Sequence, residues 1–182
     1  MITEVDQTLL LSVARQALEA RVGRRRAPEV ACAGPFALRC GTFVSIHNGG
    51  QLRGCLGWLT TESPLGRTLV HLAGAVADSD PRFAPVTSEE LPLLHIEISL
   101  LTSEQSVCAI EEIEVGRHGL IVEYGRARGL LLPQVATEHA WDRQTFLEQT
   151  CIKAGLARDA WKSGARFHVF EAHVFSEHGW PT

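Results

Sequence analysis

Residues 94–101 alternate strictly, with Leu94, Ile96, Ile98 and Leu100 at one parity and His95, Glu97 and Ser99 at the other. Successive side chains of a strand point to opposite faces, so this octet predicts a strand with one face in the core and one carrying polar groups. Such a strand belongs to an antiparallel sheet covered on one side, because strands of a buried parallel sheet read as continuous apolar runs. The rest of the chain is consistent with that frame. Residues 41–47 and 51–58 flank Asn48-Gly49-Gly50, which tolerate positive φ, and predict a hairpin. Residues 119–124 and 128–132 bracket Gly125-Arg126-Ala127 as a second one, and residues 167–175 alternate as a final strand. Helices are expected at 3–22, with Thr3 and Asp6 as a cap signal, after Ser63-Pro64, and at 142–154, opened by Asp142 and closed by Gly155. Strands and helices in no βαβ rhythm predict an α+β fold, a mainly antiparallel sheet with flanking helices.

The chain has 182 residues, 45% hydrophobic and 21% charged, enough to bury a core as one domain or as two lobes. Its apolar runs are too short to cross a bilayer, and residues 1–22 lack the basic start and long apolar stretch of a secretory signal. A cytoplasmic protein with no membrane partner is expected. A formal charge of -4 and the absence of aromatics interleaved with a basic stripe argue against nucleic acid. The run Arg24-Arg25-Arg26 lies in a segment with two prolines and reads as a surface connection, with an anion site as the weaker reading. The five cysteines contain no C-x-x-C pair, and the eight histidines show no metal-ligand spacing. No phosphate-binding loop or dinucleotide fingerprint occurs, so neither a metal nor another cofactor is called for.

The segment 51–58 carries the most chemistry. Alternation places Leu52, Leu56 and Trp58 on one face and Arg53, Cys55 and Gly57 on the other. If the first face enters the core, Cys55 points away from it, Arg53 favours its thiolate, and Gly54 and Gly57 leave room for a ligand at the sulfur. The alternative is a small buried thiol beneath a tight glycine contact. Cys151 falls on an apolar helical stripe with Leu147 and Ala154 and is expected to be packing. His95, Glu97 and Ser99 do not make a triad, because same-face strand neighbours project in parallel.

LRGCLG at 52–57, DPRF at 80–83 with EELP at 89–92, HIEISLL at 95–101, HGLIV at 118–122, RGLLLPQVA at 128–136, Trp141, TCIKAGL at 150–156 and Ala160-Trp161 occur in this order. Together they closely resemble the AMME chromosomal-region protein family, called protein A of the AmmeMemoRadiSam group. The resemblance is strongest over residues 36–175. It implies one domain spanning residues 1–182, built as two lobes enclosing a cleft lined by the LRGC strand, but no established reaction. Carried over by position, the motif falls on Leu52, Arg53, Gly54, Cys55 and Gly57, with Leu56 where isoleucine is commoner and Trp58 where the family has a smaller or polar residue. Further charged and polar matches are Asp80, Arg82, Glu97, His118 and Gln134.

Two functions follow as expectations. In the first, the cleft binds a small or peptidic ligand through Arg53, Gly54, Gly57, Asp80, Arg82 and Gln134. It would do so within a system containing a Memo-like protein and a radical SAM protein, partners the resemblance suggests. In the alternative, the chain is a cysteine-dependent enzyme with Cys55 as nucleophile and Glu97 or His118 as base. Asp80 and Arg82 also have an ordinary role available, bracing a turn.

Overall fold

The structure is a computed structural model that describes residues 2–177, and its chain divides into two compact units. The first comprises residues 2–100 and 174–177. It opens with α1 (Glu4–Val22), whose N-terminus carries a reciprocal cap: the Asp6 N–H donates to Thr3 Oγ1 at 3.2 Å and the Thr3 N–H to Asp6 Oδ2 at 2.9 Å. β1 (Thr42–Asn48) and β2 (Gln51–Trp58) form the expected hairpin, with Gly49 at φ 56° and Gly50 at φ 89°, the paired positive values of a type I′ turn. α2 (Leu65–Ala75) follows Pro64 and packs on α1, and β3 (Leu94–Leu101) pairs with β1.

Every pairing here is antiparallel, in the order β2-β1-β3. Val44, Ile46, Ile96 and Ile98 are fully buried and meet Leu10, Leu18, Leu65 and Leu69 of the two helices, so the sheet has a helix face and an opposite face. Arg15 of α1 ties this core to the end of the chain. It donates to the Leu94 carbonyl at 2.7 Å and to Glu177, which accepts the Ile96 N–H at 2.9 Å.

The second unit comprises residues 101–173. It holds β4 (Gln105–Val107), the hairpin of β5 (His118–Tyr124) and β6 (Ala127–Leu131), and most of β7 (Arg166–Ser176). Its order is β4-β7-β5-β6, again antiparallel throughout. α3 (Pro133–Glu138) and α4 (Arg143–Lys153) cover it, and the Asp142 carboxylate accepts the Thr145 N–H at 2.7 Å. Phe146, Leu147 and Cys151 of α4 meet Leu120, Val122 and Val169 in its core. The α+β class and antiparallel pairing are as expected; α3 and β4 had no counterpart in the sequence reading. Among the described residues, no helix is long and apolar enough to cross a membrane.

Candidate functional site around Cys55

The LRGC strand departs from simple alternation in one respect that determines the site. His47 pairs with Leu52 and Ile46 with Gly54, leaving Arg53 without a partner across the ladder. This is a β-bulge. Beyond it Ser45 stands opposite Cys55, and across β1 Ser45 also stands opposite Glu97. Paired residues share a face, so Cys55, Ser45 and Glu97 form one row across three strands, on the face away from α1 and α2. Without the extra residue Cys55 would fall opposite Val44 and turn to the helix face. The bulge also corrects the expectation for Leu52, which pairs with His47 and is 39% exposed. Trp58 stays out of the core as well: it is 41% exposed and stacks on His71 of α2, with centroids 5.1 Å apart.

β2 is the edge strand of its unit, and an edge strand has main-chain donors to satisfy. The DPRF turn satisfies one of them. The Cys55 N–H donates to Asp80 Oδ2 at 2.9 Å, and the same carboxylate receives the Arg82 N–H at 3.1 Å, Nε at 2.9 Å and Nη2 at 2.7 Å. Asp80 is thus a four-point brace between β2 and the turn, its side chain 3% exposed. The Arg82 guanidinium beside it, with these backbone donors, holds the carboxyl well below the usual carboxylate range.

Arg53 does not turn to the thiol. Its guanidinium donates to Glu90 from Nε at 2.8 Å and from Nη2 at 3.3 Å, and Glu90 in turn accepts the Thr87 N–H at 2.9 Å. Phe83 is flanked by two cations, the Arg53 guanidinium 6.0 Å and the Arg82 guanidinium 5.4 Å from its ring centre. Arg82 remains 56% exposed and is the cation whose field reaches Cys55. Burial pushes the Cys55 thiol up; the Ser45 hydrogen bond and Arg82 pull it down, and the carboxylates of Asp80 and Glu97 push it further up. The net direction is upward, opposite to the activated thiolate that Arg53 was expected to support.

The motif glycines have their own packing reasons. A Cβ on Gly57 would lie 2.1 Å from the ring of Phe43, its partner across the ladder, which covers it. Gly54 lies on the helix face, where a Cβ would meet the Val76 carbonyl at 3.1 Å. Neither glycine marks an open approach to the sulfur. His118 and Gln134 belong to the second unit. There His118 Nδ1 accepts the Glu114 N–H at 3.1 Å, and the Gln134 carbonyl accepts the Thr137 hydroxyl at 2.8 Å within α3.

Sequence reasoning passed over Ser45, Phe43 and Glu90. The first two follow from hairpin register once the bulge is known, whereas Glu90 lies in the EELP segment and its acid three residues after Thr87 is a local turn signal. Among the described residues, no group of three or more His, Cys, Asp and Glu side chains is arranged to hold a metal ion.

The sequence profile named AMMECR1 matches residues 11–175, nearly the whole chain and every element of this site. The chain belongs to the AMMECR1 family. Similar members include a protein of Methanosarcina acetivorans, 39% identical over 97% of this chain and 94% of its own length, and one of Methanocaldococcus jannaschii, 41% identical over 78% and 75%. A solved structure of the uncharacterized protein PH0010 from Pyrococcus horikoshii is 37% identical, covers 93% of this chain and 90% of its own, and superposes with a TM-score of 0.83. The antiparallel α+β architecture is therefore that of a solved structure of comparable length.

Proposed function

We propose that this AMMECR1-family chain is a recognition protein, and that the Cys55 face receives a small or peptidic ligand bearing an acidic group. The observation that carries the reading is the pairing pattern around Asp80 and Arg82. Arg82 gives Nε and Nη2 to Asp80, keeps Nη1 on an exposed guanidinium, and is held in place by the same carboxylate that caps β2. A guanidinium oriented in this way is suited to a carboxylate or phosphate. Cys55 contributes a neutral, weakly polar surface beside it, because a thiol with a raised pKa is protonated at neutral pH and a poor nucleophile. Glu97 and Ser45 complete the row and add specificity for donors on the ligand.

The reading extends to a system in which the chemistry belongs to a Memo-like protein and a radical SAM protein, with this chain presenting or recognising the substrate. The test uses the purified full chain with those two proteins from the same organism. Mixing should give a complex by size-exclusion chromatography that Arg82→Ala weakens, while Cys55→Ser, shown to be folded, retains it. Robust turnover of esters or thioesters by the purified chain alone, abolished in Cys55→Ser, would overturn the recognition reading in favour of a cysteine enzyme.

A further inference from the structure

A second site lies wholly within the first unit and shares no residue with the Cys55 face. The C-terminal half of α1, the segment 25–30 and α2 enclose a groove of about 730 Å³, within the range of small-molecule sites. Its lining includes small residues, Ala17 on α1 with Gly66, Gly74 and Ala75 on α2, and Gly66 is packed closely, since a Cβ there would lie 3.1 Å from Phe36 Cβ and 3.2 Å from Val30 Cγ1. A Cβ on Gly74 would have only ordinary contacts, 3.7 Å from the Ala17 carbonyl and from Arg21 Cβ. An alanine would therefore fit there, whereas a longer side chain would run into α1.

The rim is cationic. Most arginines of this chain are tied to carboxylates: Arg15 to Glu177, Arg21 to Asp78, Arg26 to Glu29, Arg53 to Glu90, Arg82 to Asp80. Arg25 and Arg67 both line the groove, and among the described residues neither has an ion pair or hydrogen bond from its side chain. Arg25 is aimed there by the way α1 stops. Arg24 takes φ 52°, a left-handed value, and the Arg25 N–H returns to the Ala20 carbonyl at 2.7 Å, so the chain reverses over the end of the helix. The one acidic side chain of the lining, Glu29, is already paired with Arg26.

Two unpaired guanidiniums over a small-residue lining select a ligand with an anionic head and an apolar body. We propose that this groove binds a small organic phosphate monoester, its phosphate received by Arg25 and Arg67 and its body laid against Ala17, Gly66, Val70 and Gly74. Phosphate is preferred to a single carboxylate because its three terminal oxygens can accept from two guanidiniums at once.

Isothermal titration with 1-naphthyl phosphate, inorganic phosphate and 1-naphthol tests it on the full chain. The ester should bind about tenfold tighter than either half, as two exposed charge-assisted contacts added to apolar burial imply. Arg25→Gln and Arg67→Gln should each weaken it about threefold to tenfold, with the melting temperature unchanged because both side chains are exposed and unpaired. Glu29→Gln should tighten it. Absence of saturable binding by the ester, equal binding of 1-naphthol, or affinity indifferent to both arginine substitutions would overturn the proposal.

Discussion

Replacing Asp80, a buried carboxylate in a turn, by alanine should destabilise the chain by about 2–4 kcal/mol. The carboxylate accepts four hydrogen bonds, two from side-chain nitrogens of Arg82 and two from the backbone N–H groups of Cys55 and Arg82. The guanidinium is more than half exposed, so water replaces most of what it loses, and that pair contributes about 0–1 kcal/mol. The backbone donors weigh more: stranding the partly buried Cys55 N–H costs about 1–2 kcal/mol, the lower part of the range for a buried donor, and the Arg82 N–H adds about 1. With a urea m-value of about 2 kcal/mol/M, the midpoint should fall by about 1–2 M. Asp80→Asn keeps an acceptor for Cys55 and should lose roughly half as much. Its pH dependence isolates the charge. The folded pKa of Asp80 lies below its unfolded value of about 3.9, so its stabilisation is full above that value and is lost as pH falls towards the folded pKa. The difference between wild type and Asp80→Asn should be flat from pH 8 to 5 and shrink below about pH 4. A difference that grows on acidification, or an alanine variant within about 0.5 kcal/mol of wild type, would refute the brace.

Limited alkylation of the native chain at pH 7, read by mass spectrometry, should label the exposed Cys32 and Cys108 first, Cys55 slowly and the buried Cys151 least, with Cys55 labelling accelerating at alkaline pH. Labelling of Cys55 ahead of all others at pH 7 would mean an activated thiolate. Gly57→Ala should cost about 1–3 kcal/mol in denaturant titrations because its new methyl meets the Phe43 ring, and Phe43→Ala in the same chain should relieve that clash, giving a non-additive double-mutant cycle. Thr3→Ala removes the acceptor of the α1 capping box and should lower stability by about 1 kcal/mol, seen as a small drop in melting temperature.

Why β3 was legible and β2 only partly so comes down to what each pattern depends on. The alternation of residues 94–101 is written in the strand itself, since Leu94, Ile96, Ile98 and Leu100 need only one apolar side to face, and they face it. The face of Cys55 depends on the partner strand, because a bulge is a mismatch between two ladders and leaves no mark in one of them. Alternation alone happened to put Cys55 on the polar side, but it carried Leu52 into the core with Leu56, and the bulge separates those two. α3 spans six residues, too few for a 3.6-residue period to repeat, and β4 spans three. Charge pairing was legible only where it was local. Asp80 and Arg82 are two residues apart, and a turn brace stood as their ordinary role beside the ligand-binding one, whereas Arg53 finds Glu90 thirty-seven positions away and was assigned to the nearest thiol instead.

The same bulge joins fold and site. It places an extra residue on the edge strand, so that Arg53 reaches the Glu90 side while Cys55 shares a row with Ser45 and Glu97, and the Cys55 N–H is left for Asp80. An edge strand capped by a carboxylate at this point cannot add another strand there, since the donor that a new ladder would use is already taken. On the proposed recognition reading, a ligand would therefore meet the side chains of this row and the exposed guanidinium of Arg82 rather than extend the sheet through Cys55. Recognition by side chains makes the effect of Arg82→Ala separable from that of Asp80→Ala: the first should weaken binding with little loss of stability, the second should lose both.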